Sequence, residues 1–306
     1  NLSTAGTLQQ IHDYPQGAVV YGPGSAADFG LLIDNATGIA DTTGEWVFSQ
    51  RNKASFWFDA DFGGNLALAS QLSYTFDLTD YFFLTLDQLQ FSGEFPIIGK
   101  TPVVIDFDIG RFSFSDFSRK VVSHTADGVS FKVGLPFASL SLSSAFTRFL
   151  QAPECTIIMS KSDLKDRSGD GLQIVGPFEL GPFGPWRLIG IAYLQFPELL
   201  LRQTLDISYV MQRDFRPADK MASRGGAVHT FYFGGGLSGP VVSPLFYNGF
   251  FYFNMGTIGG ANIRSFLAGG GFDLYLQSLL SSKVSLDFIW ASGDKDHDSF
   301  YEGNTE

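Results

Sequence analysis

The chain has 306 residues, a net charge of −11, one cysteine and only 17% charged residues, with 32 Phe and 35 Gly. A soluble domain carries about 25% charged residues, so this composition, with a mean hydropathy of +0.09, leans toward a membrane. No run of about 18 uncharged apolar residues occurs, which excludes a spanning helix. The acidic balance excludes a nucleic-acid surface, and Cys155 alone excludes a disulfide framework.

Residues 1–45 do not alternate; Pro15, Pro23 and several glycines interrupt them, and a short helix is expected near 25–33. The segment reads as a periplasmic N-terminal extension or a plug. The start at Asn1, without a basic-then-apolar leader, fits either an exported chain whose signal peptide has been removed or a chain trimmed at this point. Gly22-Pro23-Gly24-Ser25 superficially matches a dinucleotide fingerprint, but no βαβ frame surrounds it, so a turn is the reading taken.

From residue 46 onward, stretches with period two recur. Leu66, Leu68, Leu72, Tyr74 and Phe76 alternate with Ala67, Gln71, Ser73 and Thr75; Val103, Ile105, Phe107 and Ile109 alternate with Asp106 and Asp108. Leu205, Ile207, Tyr209 and Met211 oppose Thr204, Asp206 and Ser208, and Val284, Leu286, Phe288 and Trp290 oppose Lys283, Ser285 and Asp287. Period two is strand periodicity. A soluble sandwich alternates as well, but its outer face is charged, whereas the polar face here is mainly Ser, Thr, Gln and Asp. In lipid every backbone group must be paired, so only helices and closed barrels span. The fold class expected is therefore all-β: an antiparallel transmembrane β-barrel of about 14 strands (12–14), occupying 46–306.

Strands are expected near 46–51, 55–62, 65–76, 81–91, 102–112, 128–135, 138–150, 186–197, 202–212, 227–238, 245–256, 262–275 and 281–291. Connections near 113–127, 151–185, 213–226 and 292–306 are long and polar, and those near 136–137, 198–201, 239–244 and 276–280 are short, as when long loops face outward. Segment 92–101 is long for its side. Thirteen strands would put the two ends of the chain on opposite sides, so either 46–51 is not a strand or a closing C-terminal strand is lacking in this chain; the second is favoured. Trp46, Tyr81, Phe82, Trp186, Phe196, Tyr247 and Trp290 at strand ends suit interfacial girdles. The runs Gly234-Gly235-Gly236 and Gly269-Gly270-Gly271 fit turns or a curved wall.

Charges inside the alternating stretches mark a wet interior, because a charge facing lipid costs several kcal/mol, about 2–4 for Arg or Lys at the midplane. The expected pore-lining residues are Asp59, Asp61, Asp87, Asp106, Asp108, Lys132, Arg187, Asp206, Arg264, Asp273, Lys283 and Asp287. Their acidic excess favours cations over anions. The 35-residue connection 151–185, with Lys161, Lys165, Arg167 and Asp170, is expected to fold into the mouth and narrow it. The histidines His12, His124, His229 and His297 match no catalytic spacing, and GxSxG, HExxH and CxxC are absent, so neither an enzyme nor a metal or other cofactor is expected. Asp294, Asp296, Asp298 and Glu302 read as a solvated loop.

Gly110-Arg111-Phe112 followed by Asp116 and Ala126-Asp127-Gly128-Val129 resembles the strand–loop–strand of alginate-export-type and related barrels, and Ala291-Ser292-Gly293-Asp294 points the same way. Over 46–291 the chain resembles Gram-negative outer-membrane porins and substrate channels. The strand count is also similar to the long-chain fatty-acid transporter class, whose Asn-Pro-Ala plug motif is not found here. The resemblance implies a location in the outer membrane of a diderm bacterium, against lipid and lipopolysaccharide, with a second copy or an envelope protein as candidate partner. The function expected is a channel for passive diffusion of small hydrophilic solutes with a mild cation preference. The alternatives are a plugged transporter of hydrophobic ligands and a non-conducting structural barrel within a larger envelope complex.

Overall fold

A computed structural model describes residues 17–20, 26–42, 45–77, 81–97, 102–150, 172–175, 178–180, 184–200, 202–216, 227–276 and 282–292. They form strands and no helix. The strands are β1 (Gly17–Val20), β2 (Ala26–Thr42), β3 (Glu45–Gly63), β4 (Leu66–Asp77), β5 (Tyr81–Ile97), β6 (Val103–Ser115), β7 (Ser123–Leu135) and β8 (Ala138–Phe146). They continue with β9 (Leu172–Val175), β10 (Phe178–Leu180), β11 (Arg187–Leu200), β12 (Gln203–Asp214), β13 (Val228–Val242), β14 (Leu245–Ile258), β15 (Ala261–Leu276) and β16 (Ser282–Ala291). Fourteen of them build one antiparallel sheet in chain order, with β9 and β10 set apart as their own pair. Since β1 has only four residues, the sheet consists of thirteen long strands. The all-β meander expected from the alternation is present. Among the described residues no ladder joins β1 to β16, so the sheet is not closed.

The sheet has the exposure of a globular protein turned inside out. Directly opposed residues of an antiparallel pair share a face, and one face carries Phe56, Leu72, Tyr74, Leu84, Phe131, Leu142, Phe233, Phe251, Leu286 and Trp290, all exposed. Phe233 is 57% exposed and Leu286 67%. The other face buries polar side chains: Ser55 against Ser73, then Thr75, Thr85, Asp206, Ser208, Gln212, Thr230 and Asn254. Ser73, Ser208 and Thr230 are fully buried.

This polar face is the concave one. The β6–β7 connection folds onto it, so that Tyr252 of β14 donates a 2.8 Å hydrogen bond to Asp116 although many strands intervene along the sheet. At the same end, Phe112, Phe114, Ala126, Ala145, Leu150, Ile189, Ile191 and Val210 pack into an interior apolar cluster, with Val121 and Val122 of the connection against it. The β5–β6 ladder stops at Leu89 and Arg111, next to Gly110, whose φ of 116° only glycine adopts readily. Beyond that point the two strands part, and β10 lies against β5.

Several expectations are corrected. Residues 26–42, expected within a non-alternating segment with a helix near 25–33, form β2 and pair along their whole length with β3. The stretches 46–51 and 55–62 are one strand, because Arg51, Asn52 and Lys53 continue the ladders to both β2 and β4. The count of thirteen therefore survives with different members. Segment 92–101 is mostly strand, since β5 runs to Ile97, which leaves an ordinary short connection to Val103. At the end that carries the long β6–β7, β8–β11 and β12–β13 connections, β14 and β15 instead join through the tight turn Gly259-Gly260, both with positive φ.

Candidate functional site

The candidate site is the concave wall and the connection that folds onto it. Basic groups on the wall are paired with carboxylates of other strands. Lys53 lies 3.0 Å from Asp87, which also accepts from Gln71, Thr85 and Ser73. Lys132 is 3.8 Å from Asp106, and Lys283 is 3.0 Å from Asp273, which accepts from Ser285 as well. Asp108 accepts from Gln90 at 2.7 Å. Asp59 and Asp61 share the inner face of β3 with Ser55; Asp59 sits opposite Asp28, and Asp61 accepts the Gly63 amide. Asp206 accepts from Tyr193 at 2.6 Å and Gln195 at 3.1 Å, both at Oδ1.

Two of the basic residues expected in the lining stand differently. Arg187 is on the inner side but fully buried, 3.7 Å from Asp214, which Arg216 also clamps through its guanidinium. It is a strut inside the wall rather than a surface of the bore. Arg264 lies opposite Met255, beside Phe266, on the convex apolar face. The three consecutive glycines of β15 hide the phase of the alternation, and only the ladder to β14 fixes it. Lys161, Lys165, Arg167 and Asp170 lie outside the described residues.

Where β5 and β6 part, Arg111 bridges the break. Its Nε and Nη2 grip both oxygens of Asp127 at 3.0 and 2.7 Å, Nη1 donates to the Leu86 carbonyl and Nη2 to the Phe149 carbonyl. A planar fork is needed to meet a carboxylate and two orphaned backbone acceptors at once. Lys53, Gln71, Thr85, Asp87 and Arg111 line a cavity of about 380 Å3 at this break.

The β6–β7 connection is held by Asp116, 1% exposed. Its Oδ1 accepts from the amides of Val121 and Val122 at 3.1 and 2.7 Å; its Oδ2 accepts from the Ser118 amide and hydroxyl and from Tyr252. This aims Phe117 into the bore, where its ring stacks on Tyr193 and Tyr252 at 6.1 and 5.4 Å between centroids. Glycines admit the rings: a Cβ at Gly236 would lie 2.5 Å from the Phe117 ring, and one at Gly234 2.3 Å from Tyr252. The constriction expected in 151–185 lies largely outside the described residues; the inward place of Phe117 with Tyr193 and Tyr252 was not foreseen, and Asp116 was noted only within a motif. The available signal was the Asp-x-Ser of an Asx turn, with glycine runs facing aromatic-rich strands.

Beside Phe117 the ladders set two inward rows across β12–β16. One row carries Asp206, Gly236, Phe250 and Gly269; the next carries Ser238, Asn248, Gly271 and Asp287. They bound a second cavity of about 350 Å3.

Fold and site together define an antiparallel β-meander of barrel type with an apolar outside and a polar, partly filled interior. Neither a protein-family model nor a curated protein sequence matches the chain.

Proposed function

We propose that this chain is an integral outer-membrane β-barrel of a diderm bacterium that lets small hydrophilic solutes pass by passive diffusion, with a mild preference for cations. The observation that carries the reading is the reversal of faces: a continuous belt of exposed Phe, Leu, Tyr and Trp outside, and buried Ser, Thr, Asn and charged groups inside. Such a surface is unfavourable in water and is what a lipid-spanning barrel requires. The cation preference follows from the pairing. Lys53, Lys132 and Lys283 each have a carboxylate partner, while Asp59, Asp61, Asp108, Asp206 and Asp287 have no basic partner within ion-pair distance among the described residues. The net wall charge is negative, and salt screens its effect. Selection is by bore and wall charge, without turnover, and Phe117 on its anchored connection is the constriction.

Single-channel conductance of the refolded protein in a planar bilayer, under a salt gradient, tests the reading. Stable steps with a cation-biased reversal potential are expected. Silence from a folded barrel would refute conduction and favour the second reading, a non-conducting structural barrel in an envelope complex, which the apolar cluster filling the interior between β6 and β12 supports. A hydrophobe transporter is disfavoured: the break in the wall between β5 and β6 is lined by Lys53, Asp87 and Arg111.

A further inference from the structure

The cavity beside Phe117 is lined by Gly236, Gly249 and Gly270 together with Ser238, Asn248 and Phe250. Gly236, Gly269 and Gly271 lie in the two inward rows between Asp206 on β12 and Asp287 on β16, and the Phe117 ring covers Gly236. Of its two carboxylates Asp206 is the poorly compensated one, whereas Asp287 is exposed and feels the charge of Lys283 on the same face of β16. Asp206 is only 8% exposed, yet both of its hydrogen bonds come from neutral donors, Tyr193 and Gln195. No basic side chain among the described residues is within ion-pair distance of it. The Asp287 carboxylate folds over Gly271, 2.2 Å from where a Cβ would stand, and accepts no hydrogen bond from any described residue. The one basic lining residue, Lys120, is exposed on the connection itself.

A buried carboxylate without a counter-charge is costly, so this space carries a negative potential that a mobile cation relieves. The kind of cation follows from the walls. Divalent metals take six or more oxygen ligands, and no group of three potential ligands is gathered among the described residues. Phe117 and Phe250 instead give the space aromatic walls, and such walls favour soft organic cations over strongly hydrated ones. We propose that this recess is a binding subsite for small organic ammonium ions, with buried Asp206 as the charge partner, exposed Asp287 adding negative potential at the rim, and the two rings against the hydrocarbon part. The proposal deepens the cation-preferring channel reading and rests on it for its physiological sense.

The test is equilibrium binding of butylammonium to the refolded protein in detergent, by isothermal titration calorimetry, with 1-butanol as the neutral isostere. Saturable heat from butylammonium and none from butanol is expected. Asp287→Asn, at an exposed position, should weaken binding about fivefold, and Asp206→Asn, at a buried one, by at least about tenfold. Circular dichroism and heat-modifiable gel mobility establish that each variant is folded. Equal binding of butanol, absence of heat from butylammonium, or unchanged affinity in folded Asp206→Asn or folded Asp287→Asn would overturn the proposal. Binding does not depend on conduction: saturable heat from a silent barrel would refute the channel and leave the subsite standing. Conductance steps with no heat would do the reverse.

Discussion

Removing one oxygen atom should loosen the inward β6–β7 connection without disturbing the wall. Tyr252→Phe keeps the ring that stacks on Phe117 and deletes the hydroxyl that donates to Asp116 at 2.8 Å. A hydrogen bond to a charged group contributes about 1.5–3 kcal/mol. Asp116 keeps four other donors, two backbone amides on Oδ1 and the Ser118 amide and hydroxyl on Oδ2, so the lower end applies. A loss of about 1.5 kcal/mol raises the population of the released connection about tenfold. Arg119 and Lys120 sit on this connection, so trypsin added to the refolded protein reads that population directly, because cleavage tracks the open fraction when opening and closing are fast. Cleavage after Arg119 or Lys120 should accelerate about tenfold in Tyr252→Phe, and should stay at the wild-type rate in Tyr74→Phe, on the exposed convex face. An unchanged rate in folded Tyr252→Phe would refute the anchoring role of Asp116.

The apolar belt predicts that Phe251→Arg, on the exposed face of β14, costs about 2–4 kcal/mol of folding free energy in lipid vesicles, read as a shifted denaturant midpoint. Arg111→Leu leaves Asp127 and the Leu86 and Phe149 carbonyls without their donor, and should cost about 3 kcal/mol by the same measurement. A Cβ at Gly128 would stand 2.1 Å from the Ser144 carbonyl oxygen, so Gly128→Ala should abolish the heat-modifiable folded band. Asp106→Asn combined with Asp108→Asn should move the reversal potential toward zero, with single-channel steps of similar size.

The strands were legible wherever apolar and polar residues alternate without interruption, as in β4, β12 and β16. β2 was missed although Phe29, Leu31 and Ile33 alternate, because Asp34, Asn35 and Thr37 end the apolar series and the preceding glycines suggest a turn. Its partner is the long β3, and pairing over such a length overrides weak local preference. Lys53 made β3 look broken, yet the Asp87 carboxylate that accommodates it on the inner face belongs to another strand. Asp87 itself is the extra residue of a bulge, the β4–β5 register passing from Gln88 to Leu86. Most of the polar lining followed from the phase of the alternation. The inward connection did not, because what holds Asp116 is a tyrosine 136 positions away, and no periodicity encodes that meeting.

The meander has a consequence for the order in which the molecule assembles. Every ladder of the main sheet joins strands adjacent in the chain, apart from β8 and β11, which residues 147–186 separate. Closing a 40-residue connection rather than a two-residue turn such as 136–137 costs about 2.7 kcal/mol more in chain entropy, by (3/2)RT ln n. The hairpins from β2 to β8, and those from β11 to β16, are therefore two blocks of local contacts that form fast. Their junction, Ser139 to Phe146 against Leu188 to Gln195, is the step expected to be slow in folding. Shortening the connection within 151–171 should quicken that junction and leave the finished wall as it is.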